Sequence, residues 1–542
     1  MQTTLFRPLP SLGFIVFALF HVACENKQDE QTRPNILLVM ADDMGYSDIS
    51  CYGGEMRTPN LDDLAKDGLR FTQFYNGARS CPTRASLLTG LYAHQTGIGH
   101  MVGTSSDQPG YTGIMNSHCV TMATVLRSAG YATYMTGKWH VSRSTDTADT
   151  HNWPLQRGFD KYFGTITGAG SFFDPHTLTY NNTPIESPAD YYYTDAISDS
   201  ASAFITTHLQ EQENPFFLYV AYTAPHWPLH APESAIEEYK GRFEAGWDHL
   251  RRQRIKRMKQ MGIIQDQWKL SPRDKRIPAW DTISDKAFQQ KRMEVYAAQV
   301  EIMDRGIGRI VESLRENDQL DNTLILFLSD NGGCAETLSK EAAWVRRFGP
   351  ETTHDGKEVV FGNSTGRMPG PPDTYQSYGV NWANLSNTPF RLYKHYVHEG
   401  GIATPLIVHW PDHIRQPGSL YREPGHIIDI MPTLAQVAGA EYPDSLNNRD
   451  ILPPEGTSLL PALQGKVIER EEPLFWEHET NKAIRQGKWK LVAKWNGEWE
   501  LYNIVKDRSE LNNLAEQYPE RVRQMKARWE KWALRTHVKP RN

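Results

Sequence analysis

A chain of 542 residues is long enough to bury one large core with a smaller unit beside it, and its formal charge of −6 excludes nonspecific nucleic-acid binding. With 23% charged and 39% hydrophobic residues the composition is that of a globular protein, not of a disordered or fibrous one. Five cysteines show no paired metal-ligand spacing, which argues against a structural zinc site.

The first two dozen residues read as a secretion signal, with Arg7 as the positive region and Leu12 to Phe20 as an apolar run too short to span a bilayer. Val22-Ala23-Cys24 resembles the end of a bacterial lipobox, although His21 departs from the usual leucine. Acylation of Cys24 would make residues 25–33 a tether, and ordinary cleavage nearby would release a soluble protein. Both place the protein outside the cytoplasm. An oxidising compartment permits one or two disulfides among Cys51, Cys81, Cys119 and Cys334, in a pairing the sequence leaves open.

From residue 34 onward, apolar runs alternate with helical segments. Continuous runs at Asn35–Met40, Tyr131–Met135, Phe216–Tyr222, Leu324–Leu328 and Pro405–His409 read as strands of a largely parallel sheet buried on both faces. Helices are expected at Thr58–Gly68, Thr121–Ala129, Ala196–Leu209 and Lys291–Glu316, which together predict an α/β sandwich. Two insertions, Ala231–Ala287 and Gly332–Pro389, leave the same sheet edge and are expected to wall the pocket. Within the first, the basic run His249–Lys259 reads as the solvated face of a helix, with a docking strip for a polyanion as the alternative. After Gly439, a hairpin over Trp489–Asn503 with an Asn-Gly turn and a helix over Pro519–His537 suggest a small antiparallel subdomain. The expected organisation is 1–24 signal, 25–33 tether, 34–440 catalytic domain and 441–542 C-terminal subdomain.

Chemistry-bearing residues fall just after the strands, where ligands bind in open α/β sheets. Asp42-Asp43 and Asp330-Asn331 offer three carboxylates and an amide, a hard oxygen set for Ca²⁺ or Mg²⁺. Gly137-Lys138-Trp139-His140 and Ala224-Pro225-His226 end two further strands, and Lys394 lies five residues before Glu399-Gly400-Gly401. Between the first two strands stands Ser80-Cys-Pro-Thr-Arg84, followed by Ala-Ser-Leu-Leu-Thr-Gly90. Ser80 can cap a helix whose first turn tolerates Pro82, where backbone N–H groups, the helix dipole and Arg84 attract an anion.

That segment resembles the signature of type I sulfatases, members of the alkaline-phosphatase-like superfamily, Cys/Ser-x-Pro-x-Arg followed by Ala-x-Leu-Leu-Thr-Gly. The resemblance implies that Ser80 is oxidised to formylglycine by a serine-type maturing enzyme, and that Cys81 only fills the x position. It implies an alkaline-phosphatase-like α/β sandwich with a large, mostly parallel sheet and a C-terminal antiparallel sheet with one helix. It further implies one Ca²⁺ (Mg²⁺ sharing its ligand tastes) on Asp42, Asp43, Asp330, Asn331 and residue 80. Arg84, Lys138 and Lys394 are implied to hold sulfate oxygens, His226 with Lys394 to act at the bridging oxygen, and His140 to take a proton from the hydrated aldehyde. The implied reaction converts a sulfate monoester to alcohol and inorganic sulfate through a sulfate ester on residue 80. Trp153-Pro-x-Gln-Arg-Gly-Phe-Asp160, Gly246-Trp-Asp248 and Asn387–Gly401 look like the bacterial arylsulfatase branch, and the leader suggests sulfated glycan substrates. The alternative is a phosphomonoesterase or phosphodiesterase of the same superfamily using unmodified Ser80. Trp227, Phe172, Phe173 and His176 are candidates for the pocket lining, and His230 and His398 are wall residues without an assigned role.

Overall fold

The computed structural model describes residues 1–5, 33–103, 106–339 and 343–539, so the expected lipidation site Cys24 and nearly all of the signal and tether lie outside the described residues. The central strand β1 (Asn35–Ala41) shows why its apolar run does not alternate: both faces are covered. Leu37, Val39 and Ala41 point into one core cluster, and Ile36, Leu38 and Met40 into another on the opposite face. The same pattern builds β2 (Leu69–Tyr75), β3 (Ala132–Lys138), β4 (Lys161–Thr165), β5 (Phe216–Ala221), β6 (Thr323–Ser329) and β7 (Ala403–His409). Their spatial order is β2-β7-β6-β1-β5-β3-β4, within an eleven-stranded sheet finished by short edge strands.

Four of the pairings join β1 to β5 and β6, and β3 to β4 and β5, and all four are parallel. β7 departs from the expected parallel arrangement by running antiparallel to both β6 and β2. Its apolar composition satisfies burial on two faces whichever way it runs, so direction was invisible in the pattern. The consequence is functional: the start of β7, not its end, lies at the catalytic edge. β2 and β4 were not foreseen, because polar residues interrupt LRFTQFY and β4 is short.

Helices α1 (Pro59–Lys66), α2 (Ser80–Thr89), α3 (Met122–Ser128), α4 (Tyr193–Glu211) and the thirty-residue α6 (Lys286–Arg315) cover the sheet. Between them α5 (Gly246–Gln260) carries the basic run, and its expected solvated face needs correction. Arg254 is wholly buried, bonded to Asp48 Oδ1 at 2.8 Å and forked onto Glu55, while Arg251 donates to Ser271. Only the remaining basic residues face outward, so the helix anchors the loop after β1 instead of offering a polyanion strip.

The four described cysteines are unpaired and buried, so the disulfides that the compartment would allow do not form. The C-terminal strands β8 (Leu474–His478), β9 (Asn481–Gln486), β10 (Trp489–Ala493) and β11 (Glu500–Asn503) make an antiparallel meander, with α7 (Pro519–Arg535) against it through Trp529 and Trp532. The expected Asn-Gly turn is part of a six-residue connection, 494–499, with Asn496 in the left-handed region.

A buried ionic cluster ties this meander to the strand edge. Glu399 accepts from Lys490 at 2.9 Å and Arg508 at 2.7 Å, and Lys490 also meets Glu510 at 2.9 Å. Burial would push the Glu399 carboxyl up, but Lys490 and Arg508 outweigh it and hold the group down at about 2. Because the folded value lies below the unfolded value of about 4.3, this stabilisation is complete above that pH and fades as pH falls toward 2. Replacing Glu399 with Gln leaves the buried Arg508 without its carboxylate and Lys490 with only Glu510, and should cost about 3–5 kcal/mol in denaturant unfolding at pH 7. The deficit relative to wild type should shrink below pH 4; an unchanged midpoint at pH 7 would contradict the role of the cluster.

Candidate active site

Each chemistry-bearing residue is delivered by an adjoining strand or helix. β1 ends into Asp42 and Asp43, β6 into Asp330 and Asn331, and β3 into Lys138 followed by His140. β5 leads to His226, and the reversed β7 brings Lys394 to the same edge from its N-terminal side. The loop after β2 enters α2, whose first residue is Ser80. Arg79 occupies the N-cap position expected for Ser80, since Thr83 N–H bonds to Arg79 O at 2.9 Å. Ser80 is therefore on the first turn, where free N–H groups and the helix dipole still favour an anion.

The structure brings all ten expected residues together. Arg84 Nε donates to Ser80 Oγ at 3.0 Å, and His140 Nδ1 stands 3.3 Å from the same oxygen. One guanidinium nitrogen of Arg84 reaches Asp330 Oδ2 at 3.1 Å, and another the Lys138 carbonyl at 3.1 Å. Lys138 Nζ is bonded to Asp42 Oδ2. Lys394 Nζ lies 2.8 Å from Asp43 Oδ2 and 3.3 Å from His226 Nε2. Asn331 Nδ2 donates to Asp43 Oδ1 at 2.6 Å, and the Asp43 N–H to Asp330 Oδ1 at 3.1 Å.

Two of these residues hold unusual backbones. Asp43 and His140 sit in the left-handed region with φ of 65° and 57°. An aspartate tolerates this better than a histidine. His140 is kept there because the chain continues bonding to the neighbouring strand, Trp139 N to Thr165 O and His140 N to Ile166 O. The local cost is carried by the sheet, and the ring is aimed at residue 80.

Burial and charge set the proton states. Burial, then Lys138 and Arg84, push His140 well below the ordinary imidazole range, so it is a neutral acceptor facing Ser80. Burial also lowers His226 to about 3, and its Nδ1 donates to the Trp227 carbonyl at 2.6 Å, leaving Nε2 to accept from Lys394. Burial works against the Lys394 ammonium, but Asp43 outweighs it and holds the group above its usual range. Cys81 is buried in the core and its thiol is pushed up by that burial, which leaves the neighbouring position inert.

The oxygen cluster fits a hard cation. Asp42 Oδ1 and Asn331 Oδ1 are buried and have no hydrogen-bond partner, an expensive state for acceptors that a metal would relieve. Burial, then the Asp330 charge, raises Asp42 well above the usual carboxylate range, as expected where carboxylates crowd without a cation between them. The donor set is all oxygen, as alkaline-earth ions require.

A cavity of about 550 Å³ opens over Ser80, His140, His226 and Lys394. Trp227 and His176 line it as expected, whereas Phe173 borders a separate depression and Phe172 is core. His230 and His398 are fully buried and absent from the cavity wall. From the second insertion Glu336, Arg347 and Phe348 contribute to the wall; from the first, none does, and Arg276 only borders an adjoining depression. Reading by motif missed Glu336, which bonds Trp227 Nε1 at 2.8 Å and pairs with Arg79 at 3.0 Å. Its only local signal is a position six residues after Asp330 in an irregular loop.

A sulfatase family model matches residues 34–440, and an N-sulphoglucosamine sulphohydrolase C-terminal model matches residues 390–535. The chain is 35% identical to an arylsulfatase of Klebsiella aerogenes, over 82% of this chain and 95% of that one. It is 33% identical to an uncharacterized sulfatase of Schizosaccharomyces pombe, over 95% and 96%. The crystal structure of Ps i-CgsB in complex with k-i-k-neocarrahexaose superposes with a TM-score of 0.66 at 26% identity, covering 93% of each chain. With the family model spanning three quarters of its length, this chain belongs to the sulfatase family and is a sulfuric ester hydrolase.

Proposed function

We propose that the protein removes sulfate from sulfated saccharides larger than a single sugar, with Ser80 matured to formylglycine and one Ca²⁺ in the carboxylate cradle. The observation that carries this reading is the convergence of Ser80, Arg84, His140 and two buried lysines on one edge beside three carboxylates. Asp42, Asp43, Asp330, Asn331 and residue 80 would hold the cation, whose charge would balance sulfate oxygens in the buried site. Formylglycine would supply a hydrated aldehyde, with one hydroxyl to attack sulfur and a second to let sulfate leave.

The remaining chemistry belongs to the chain's own residues. Arg84 Nε orients the oxygen on residue 80, and Lys138 and Lys394 can exchange their carboxylate partners for sulfate oxygens when a cation takes the carboxylates. Neutral His140 Nδ1 accepts a proton from the hydroxyl of residue 80. His226, whose Nδ1 proton is committed to the Trp227 carbonyl, is poorly placed to donate; Lys394 is the donor to the departing alcohol, and His226 Nε2 holds that ammonium in line. The lysines fill the flank where a phosphatase of this superfamily would need further metal ligands, which disfavours that alternative.

An extended substrate is supported by the shape of the opening. The main cavity shares Glu336, Lys394 and Glu479 with an adjoining depression of about 370 Å³ bordered by Tyr396 and the exposed Trp495. Aromatic faces beside polar groups suit sugar rings. The similarity to Ps i-CgsB, solved with a neocarrahexaose, points the same way. The leader over residues 1–24 supports an enzyme exported after a serine-type maturing enzyme has acted, tethered if Cys24 is acylated and soluble if ordinary cleavage removes it.

Two measurements test the reading. Peptide mass mapping after co-expression with a serine-type maturing enzyme should show Ser80 lighter by two hydrogens, and Ser80→Ala should lose aryl sulfate turnover while retaining affinity for substrate. Full activity in that variant would refute the nucleophile. Separately, a Cβ on Gly168 would lie 2.0 Å from the His140 ring, so Gly168→Ala must move that ring. A displacement of order 1 Å predicts about a hundredfold loss in kcat with little change in Tm; unchanged kcat would show that His140 is not the proton acceptor.

A further inference from the structure

The depression of about 370 Å³ that adjoins the catalytic cavity meets it at Glu336, Lys394 and Glu479. Three phenol or indole rings border it, and two of them are already covered. Arg276 lies over the Tyr393 ring at 5.7 Å, and Lys494 over the Tyr396 ring at 6.0 Å. The third is Trp495. Among the described residues it is the one tryptophan that is exposed, at 60%. A single apolar side chain on an open surface needs no explanation, but a bare indole at the rim of a depression joined to an active site does.

The turn that carries Trp495 is fixed, and it is fixed to the catalytic loop. Between β10 and β11 the chain reverses with Asn496 in the left-handed region at φ of 54°, and the Gly497 N–H bonds to Lys494 O at 2.9 Å. The Trp495 N–H donates to Asn481 Oδ1 at 3.3 Å, and Nδ2 of the same amide donates to the His395 carbonyl at 3.2 Å. His395 follows Lys394, so one asparagine sets the position of the indole relative to the lysine that faces the departing alcohol. Holding a contact surface in place before binding lowers the cost of ordering a ligand on it.

The lining also selects the ligand. An indole face packs against the C–H face of a sugar ring, while its N–H and the Lys494 ammonium can bond ring hydroxyls. Where the two cavities meet, the Glu336 and Glu479 carboxylates accept from hydroxyls and repel a second sulfate. An acyl chain is disfavoured, because Arg276, Lys494, Glu336 and Glu479 surround a single open aromatic face.

We propose that Trp495 is the platform for a second sugar of the substrate, beyond the sulfated ring, and that it sets the preference of the enzyme for chains over single sugars. The assignment rests on the saccharide reading of the active site and adds to it the residue that recognises chain length.

The test uses the full-length matured enzyme with 4-nitrophenyl sulfate, sulfated monosaccharides and a panel of sulfated hexasaccharides that includes neocarrahexaose. Wild type should show a higher kcat/KM for a hexasaccharide than for the matching monosaccharide. In Trp495→Ala the hexasaccharide KM should rise about tenfold at unchanged kcat, so the ratio of the two kcat/KM values falls by about that factor. Trp495→Phe, which keeps an aromatic face, should restore most of the ratio. A second readout is independent of turnover. In the Ser80→Ala chain, N-bromosuccinimide should oxidise Trp495 ahead of the buried tryptophans, and the hexasaccharide should protect it in peptide mass mapping while 4-nitrophenyl sulfate should not. An unmoved ratio in Trp495→Ala, or oxidation undiminished under saturating hexasaccharide, would overturn the subsite and leave the saccharide reading standing. Turnover of aryl sulfate with no saccharide hydrolysed would overturn that reading and the subsite with it.

Discussion

The catalytic edge depends on an electrostatic balance among buried charges. Asp42, Asp43 and Asp330 crowd together at the ends of β1 and β6, and Arg84, Lys138 and Lys394 face them, all buried. Two like charges about 4 Å apart repel by about 4 kcal/mol at the effective permittivity of a protein. The acids therefore cannot be assembled unless cations are assembled with them. Such a cluster is poised for exchange: a divalent ion on the carboxylates frees ammonium groups for an anion, so metal and sulfate favour each other's binding.

The sheet makes that assembly possible. Parallel strands β1, β3, β5 and β6 end at one edge, with Asp42 and Asp330 directly after their strands, Lys138 the last residue of β3 and His226 five residues beyond β5. Antiparallel β7 contributes from its beginning, which is why Lys394 precedes its strand. Backbone strain gathers at the same place. Asp43, His140 and His395 all adopt left-handed φ, each fixed by pairing or packing that a more relaxed turn would not supply.

Much of this was legible because the decisive residues are local to strong patterns. A buried strand followed at once by Asp-Asp or Asp-Asn, and a serine opening a Pro-containing helix, carry their structural context with them. What was not legible depends on distance. The direction of β7 leaves no mark on a run that is apolar on both faces. Arg254 looked like a surface cation because its partners Asp48 and Glu55 lie about two hundred residues away in sequence. Glu336 sits in an irregular insertion, and the β8–β9 turn uses Glu-Thr where Asn-Gly would have announced a hairpin. The four buried cysteines stay apart for the same reason: pairing is decided by three-dimensional neighbours, not by compartment.

The most direct measurement is a crystal structure of the matured enzyme with Ca²⁺ and a sulfate ester or sulfate bound. The account predicts an ion held by Asp42, Asp43, Asp330 and Asn331, with the ammonium groups of Lys138 and Lys394 turned onto sulfate oxygens above residue 80. Lysines still locked on Asp42 and Asp43, with the anion bound elsewhere in the cavity, would contradict it.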